Sequence, residues 1–182
     1  MEFYQYEEKS MLRRMISWTV DVILVIAFAW FTVFTFGTEI KIAGHSMSPY
    51  LESGDVVLMN RLIYDVASPK RFDVVVFERE DKRTNVKRVI GLPGETVQIR
   101  DGYIFIDGKQ LKAENNLDAV SLAGLAETPI TLGEGEYFLL GDNRDSSEDS
   151  RFINVGNVKK DQILGKVWIR ILPIIKFSII GS

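Results

Sequence analysis

The chain of 182 residues contains no cysteine. That absence excludes a disulfide framework, a thiol nucleophile, iron–sulfur ligation and thiolate zinc sites. There is a single histidine, His45, so multi-histidine zinc centres are excluded as well. A basic surplus is also missing. Against 25 Asp and Glu stand 22 Lys and Arg, giving a net charge of −3 and a pI of about 5.3. Binding a phosphate backbone takes an excess of cations, so nucleic acid is not an expected partner. The available chemistry is that of Ser, Thr, Lys, Arg, Asp, Glu, Asn and Tyr. With 46% hydrophobic and 11% aromatic residues the chain can close a core, and its length suits about one folded domain.

Long apolar runs are scarce too, with one exception. Met15 to Phe36, MISWTVDVILVIAFAWFTVFTF, carries a single charge, Asp21. As a helix this run reaches roughly 33 Å, against a hydrocarbon core of about 30 Å. A cleavable signal peptide is the competing reading. Its apolar region would be shorter, ~7–15 residues, and a small-x-small site would follow; Gly37-Thr38-Glu39-Ile40-Lys41 offers none. A buried core helix is the bland alternative. The expectation is an uncleaved anchor. Lys9, Arg13 and Arg14 on its N-terminal side place residues 1–14 in the cytoplasm, 15–36 in the membrane and 37–182 outside.

Beyond Gly37 the pattern changes to short Val-rich runs. Asp55 to Met59, Phe72 to Phe77, Val86 to Ile90, Thr96 to Arg100, Tyr103 to Ile106, Tyr137 to Leu140 and Lys166 to Leu172 read as strands. Asp101-Gly102 and Asp107-Gly108 are hairpin turn signals. Leu117 to Glu127 is a weak helical candidate and reads better as a loop. The expected fold is mainly β, an antiparallel sheet domain behind a single N-terminal transmembrane helix. The apolar C-terminal run, ILPIIKFSII, is broken by Pro173 and Lys176. It is expected to pack into the core, with a place against lipid as the other reading.

His45 precedes Ser46, but neighbouring side chains of an extended segment point to opposite faces, so His45 is a poor base for that hydroxyl. With no second histidine, a Ser-His-Asp triad is unavailable. A lysine can replace the histidine if burial brings its pKa from about 10.4 toward 7–8. Lys87 is the best placed, inside a Val-rich strand with Val89 on its face and Arg88 on the other. Ser46 lies in Gly44-His45-Ser46-Met47-Ser48-Pro49, which by local chemistry alone is an ordinary Ser-rich turn. Gly141 to Arg151, GDNRDSSEDSR, is the most polar run. It reads as a calcium loop, a solvated surface loop, or a buried Asp–Arg and Ser network bracing a site. EF-hand spacing fails, because Arg144 falls on a ligand position.

Four separated segments together resemble the conserved boxes of bacterial type I signal peptidases. These are Gly44 to Leu51 (family pattern close to G-x-S-M-x-P-T-L), Gly54-Asp55-Val56-Val57, Lys87 to Glu95 (K-R-V-I-G-L-P-G-D) and Gly141 to Arg151 (G-D-N-R-D-N-S-x-D-S-R). They stand in the family order behind an apolar anchor, and the short interval from Glu95 to Glu136 is similar to the compact Gram-positive type. The resemblance implies a membrane-bound Ser/Lys endopeptidase that removes signal peptides from exported preproteins after Ala-x-Ala-like ends, with no metal or cofactor. By position it implies Ser46 as nucleophile and Lys87 as general base, with Ser147 orienting the lysine. Asp149 and Arg151 would stabilise the site, with Asp142 and Arg144 in support. Ile40, Ile42 and Val86 would line pockets for small side chains at −3 and −1.

If residues 40–46 are extended, Ile40, Ile42, Gly44 and Ser46 share a face. Tyr50 and Ser146 replace the usual Thr and Asn. Gly44 stands where some members offer a hydroxyl to the oxyanion, which leaves backbone N–H groups, chiefly that of Ser46, as donors. The sequence discloses no oligomeric state. Two rivals have distinct signatures. A self-cleaving Ser/Lys repressor-type protease would carry a helix-turn-helix where this chain has an apolar span. A non-enzymatic membrane-anchored β module would cleave no preprotein.

Overall fold

The computed structural model describes residues 11–112 and 119–181. They divide into two compact units, one ending at Gly37 and one from Thr38 onward. The first is a helix, α1 (Met11–Phe36), four residues longer at its start than the apolar run alone predicts. Its stretch Arg13–Thr32 is long and apolar enough to cross a membrane. Apolar side chains from Ile16 to Phe31 project all round the helix rather than from one stripe, the pattern of a span rather than of a core helix. Three hydroxyls within it are satisfied locally. Ser17 donates to the Arg14 carbonyl (3.0 Å), Thr19 to that of Met15 (2.8 Å) and Thr32 to that of Phe28 (2.8 Å), as an apolar solvent requires.

Among the described residues the second unit is built mainly of strands: β1 (Gly37–Lys41), β2 (Val56–Asn60), β3 (Val74–Glu78), β4 (Thr84–Gly91), β5 (Thr96–Arg100), β6 (Tyr103–Ile106), β7 (Lys109–Gln110), β8 (Ile130–Thr131), β9 (Glu136–Leu140), β10 (Val158–Lys159), β11 (Ile163–Leu172) and β12 (Ser178–Ile179). A larger sheet runs β1-β2-β11-β3-β4-β9-β10, with β12 beside β11, and a smaller one runs β7-β6-β5-β8. The pairings from β2 through β12 whose register is defined are antiparallel, as the alternating pattern predicts. Asp101-Gly102 and Asp107-Gly108 both have positive φ at each residue (53° and 80°, 50° and 76°). These are the primed turns whose twist matches a hairpin.

The strand at the centre explains the layering. Val74 to Phe77 of β3 is buried on both faces. Val74 and Val76 meet Met47, Leu51, Val57 and Val167 on one side, while Val75 and Phe77 meet Val89, Tyr137 and Leu139 on the other. The smaller sheet covers a third cluster, with Val97, Ile99 and Leu132 against Ile90, Phe138 and Leu140. Gly165 lets β11 pass close to β2, since a Cβ there would stand 2.4 Å from the Asn60 carbonyl oxygen.

One sequence expectation is corrected here. The C-terminal apolar run does not fill the core. Ile174, Ile175, Phe177 and Ile179 are exposed, Ile175 at 92%, and of this run's apolar side chains Ile180 turns in. The reason is local: a 3-10 turn over Ile174–Lys176 satisfies its backbone within itself, and Val57, Met59 and Val167 have already closed that core. Of the loop candidate Leu117 to Glu127, residues 117 and 118 lie outside the described residues, and Gly124–Glu127 forms a 3-10 turn.

Candidate active site

Ser46 sits where the chain leaves β1 and turns. The expected extended run through residue 46 is not found. The strand ends at Lys41, and Gly44 takes a positive φ of 83° that other residues adopt only with strain. Gly44 is therefore required by backbone conformation rather than by a close approach; nothing lies within 4 Å of where its Cβ would be. Ile40, Ile42, Ser46, Met47 and Val86 nevertheless line one cleft of about 300 Å³, together with Glu39, Thr84 and Asn85. Gly44 is not among its lining residues, and His45 is exposed.

Lys87 is placed by β4. Its cross-strand partner on β3 is Val75, so Lys87 points toward the Val75–Phe77 side, where Val89 also packs. Val86 and Arg88 point the other way, Val86 onto the cluster of Met47 and Arg88 over the Tyr50 ring at 4.7 Å. Lys87 is only 3% exposed. Burial pushes its pKa down from 10.5 to about 8, with Arg79 acting in the same direction and Asp149, Glu148 and Asp142 opposing. Desolvation wins because the amine is taken from water without a hydrogen-bonded carboxylate of its own.

The polar run after β9 is a buried network. Asp149 accepts from Arg151 Nε (2.7 Å) and Nη2 (3.0 Å) and from the Gly141 N–H (3.0 Å). Arg151 also donates to the carbonyls of Leu122 (3.0 Å) and Arg144 (2.6 Å). Ser150 Oγ accepts the Leu139 N–H (2.9 Å). Asp142 is bonded by Arg88, Nε and Nη2 each at 2.7 Å, across 54 positions of sequence. Arg144 is buried with no hydrogen bond to its guanidinium among the described residues, and burial pushes its pKa below the usual guanidinium range. Arg88 faces away from Lys87, and its bidentate fork on Asp142 and its contact with the Tyr50 ring make it a brace between β4 and the polar run.

Gly141 joins the two serines. A Cβ on it would stand 2.2 Å from Ser147 Oγ and 2.4 Å from the Ser46 carbonyl oxygen. Both atoms therefore close on one backbone position. Asn143 N–H donates to the same Ser46 carbonyl (3.1 Å). Ser147 is buried, and its Oγ has no hydrogen-bond partner among the described residues. Gly141 and Asn143 act here through their backbones, which no side-chain motif reveals; the Asn143 Oδ1 accepts from the Ser146 N–H (3.1 Å).

A family described as "Signal peptidase, peptidase S26" matches residues 15–172. Signal peptidase I of Bacillus caldolyticus is 36% identical over 183 residues, covering 94% of this chain and 97% of that protein. Signal peptidase IB of Staphylococcus aureus (strain Mu50 / ATCC 700699) is 31% identical over 186 residues, covering 94% of each. A crystal structure of a signal peptidase I from Enterococcus faecalis V583 aligns with 32% identity and a TM-score of 0.47, covering 56% of this chain and 97% of that one. The β-rich unit that holds a cleft serine, a desolvated lysine and an Asp–Arg network belongs to a chain of the signal peptidase family, peptidase S26.

Proposed function

We propose that this chain is a single-pass membrane signal peptidase I that cuts exported preproteins after small residues with a Ser46/Lys87 dyad. Its N-terminus lies in the cytoplasm and its β unit on the outer side, where the exposed Ile174, Ile175, Phe177 and Ile179 would rest on lipid. The observation that carries the reading is the burial of Lys87, which makes a neutral amine available near ordinary pH. Ser46 Oγ adds to the scissile carbonyl carbon while Lys87 takes its proton. The Ser46 backbone N–H, with no hydroxyl from Gly44, donates to the oxyanion. Lys87 then hands the proton to the departing amine, and the signal fragment remains as an ester on Ser46. Water, deprotonated by Lys87, releases it. Ser147 Oγ has a lone pair free to orient the lysine. Asp149, Arg151, Asp142 and Arg144 hold the loop that carries Ser147.

Ile40, Ile42 and Val86 shape the cleft for side chains at −3 and −1, and branched walls reject large ones. In detergent, the full-length chain should cleave a preprotein with Ala at −3 and −1, and cleave the same preprotein with Leu at −1 at least ~100-fold more slowly. Equal rates on both would remove the specificity reading. No cleavage of either, where a related signal peptidase cuts the first, would remove the function.

Gly141→Ala tests the packing of the two serines. The added methyl needs the space of Ser147 Oγ and the Ser46 carbonyl. A displacement of about 1 Å at a reacting group costs on the order of 100-fold in rate. We expect kcat/KM to fall by that order with KM little changed. A loss below threefold would show that the loop absorbs the methyl elsewhere.

A further inference from the structure

Each carboxylate that bears on Lys87 has an arginine of its own. Asp149 is held by Arg151, Asp142 by Arg88, and Glu148 by Arg79. The first two pairs fall within the recurrent boxes of the sequence. The third does not: Arg79 follows β3, outside every segment that pointed to the site. It is nonetheless 7% exposed. Its Nη1 pairs with Glu148 Oε2, its Nη2 donates to the Asn154 carbonyl (3.4 Å), and its Nε stands 3.8 Å from Asp81. Asn154 Nδ2 donates to the other Glu148 oxygen. Glu148 is thus gripped from two sides, and it lies between Ser147 and Asp149 in the chain. Asp81 is engaged chiefly by Arg83, which bonds it through Nε (2.8 Å) and Nη2 (2.6 Å).

Strand register makes the reach direct. β3 and β4 pair Val75 with Lys87 and Phe77 with Asn85, and the alternation continues from Val75 and Phe77 to Arg79 on the same face. Arg79 therefore projects from the end of the strand that flanks Lys87, toward the loop that flanks it on the other side. Resting on the Ser46/Lys87 reading, we propose that Arg79 is a positioning residue for Lys87: its clamp on Glu148 offsets the carboxylate beside Ser147 and fixes the Ser147 segment against the β3–β4 hairpin. The charges concerned are Arg79 from the hairpin and Glu148, Asp149 and Asp142 from the polar run, with Arg83 further out acting on Glu148. Arg79 holds the Glu148 carboxyl below the usual range, so the charge on Glu148 persists and needs its partner.

A merely structural clamp and an electrostatic one differ in the pH profile. For Arg79→Gln, which removes the cation and frees Glu148, the acidic limb of kcat/KM should move up by about one pH unit, with activity at pH 7 lower by about 5–10-fold. Glu148→Gln should move the limb down. The double variant Arg79→Gln/Glu148→Gln should return it toward the wild-type position, and Arg79→Lys, which keeps the charge, should leave it there. Profiles that fall in height with no lateral movement in both single variants would overturn the proposal, as would a double variant shifted as far as Arg79→Gln. The underlying dyad is tested separately: an active Lys87→Met would defeat the Ser/Lys reading, whereas an inactive Lys87→Met beside an unmoved Arg79→Gln limb defeats the Arg79 proposal alone.

Discussion

Asp149→Ala should destabilise the β unit by about 3–5 kcal/mol, the range for removing one member of a buried ion pair. The carboxylate is fully buried and serves two masters: the Arg151 fork and the Gly141 N–H. Its loss leaves the guanidinium of Arg151 with carbonyl acceptors only, at Leu122, Arg144 and Ser147, and leaves a buried N–H with no acceptor. Neither group can reach water without opening the loop. In a unit of this size, that corresponds to a Tm lower by roughly 10 °C. Asp149→Asn keeps an oxygen for Gly141 but not the charge, so its loss should be smaller. Thermal or urea unfolding of the full chain in detergent measures both. A loss under 1 kcal/mol for the alanine variant would mean that the arginine finds another counter-ion. Because Gly141 is also the contact of Ser46 and Ser147, the same variant should lose activity even below its Tm.

What the sequence made legible follows from which interactions are local. The apolar span is a property of consecutive residues, and so are the Asp-Gly turns of β5–β6 and β6–β7. The Val-rich run of β3 announces a strand buried on both faces, since both of its faces meet core. The order of strands is another matter. β11 inserts between β2 and β3, and its pairing with them slips at Val167/Ile169, Arg170/Leu172 and Ile163/Gly165; no local pattern encodes such long-range registers. β8 and β10 span two residues each, too short to leave a period. At the site, the resemblance to the signal peptidase boxes points to candidate residues, but not to their partners. Arg88 reaches Asp142 across 54 positions and Arg79 reaches Glu148 across 69, distances over which charge type alone offers too many pairings.

Lys87→Met should abolish cleavage and stabilise the fold at the same time. The sign follows from where the proton binds. Lys87 has a pKa of about 8 in the folded chain against 10.5 in the open one. Between those values the unfolded chain holds a proton that the folded chain has released, so stability rises with pH across that window. Below about pH 8 both states are protonated, and the full cost of holding an ammonium in a dry site, about 3 kcal/mol, is present. Methionine has no charge to desolvate and nearly the same length. At pH 7 the variant should therefore be more stable by up to about 3 kcal/mol, and this advantage should vanish by pH 10.5. Ser46→Ala is the contrast: it should lose cleavage while its stability follows the wild-type pH curve. In the wild type, kcat/KM should rise with pH through an apparent pKa near 8, because only the neutral amine can accept the Ser46 proton. Lys87→Arg should stay inactive throughout, since a guanidinium remains protonated. Stability curves of wild type and Lys87→Met that run parallel from pH 7 to 10.5 would show that the lysine is solvated when folded, and the chemistry assigned to it would have no source of free base.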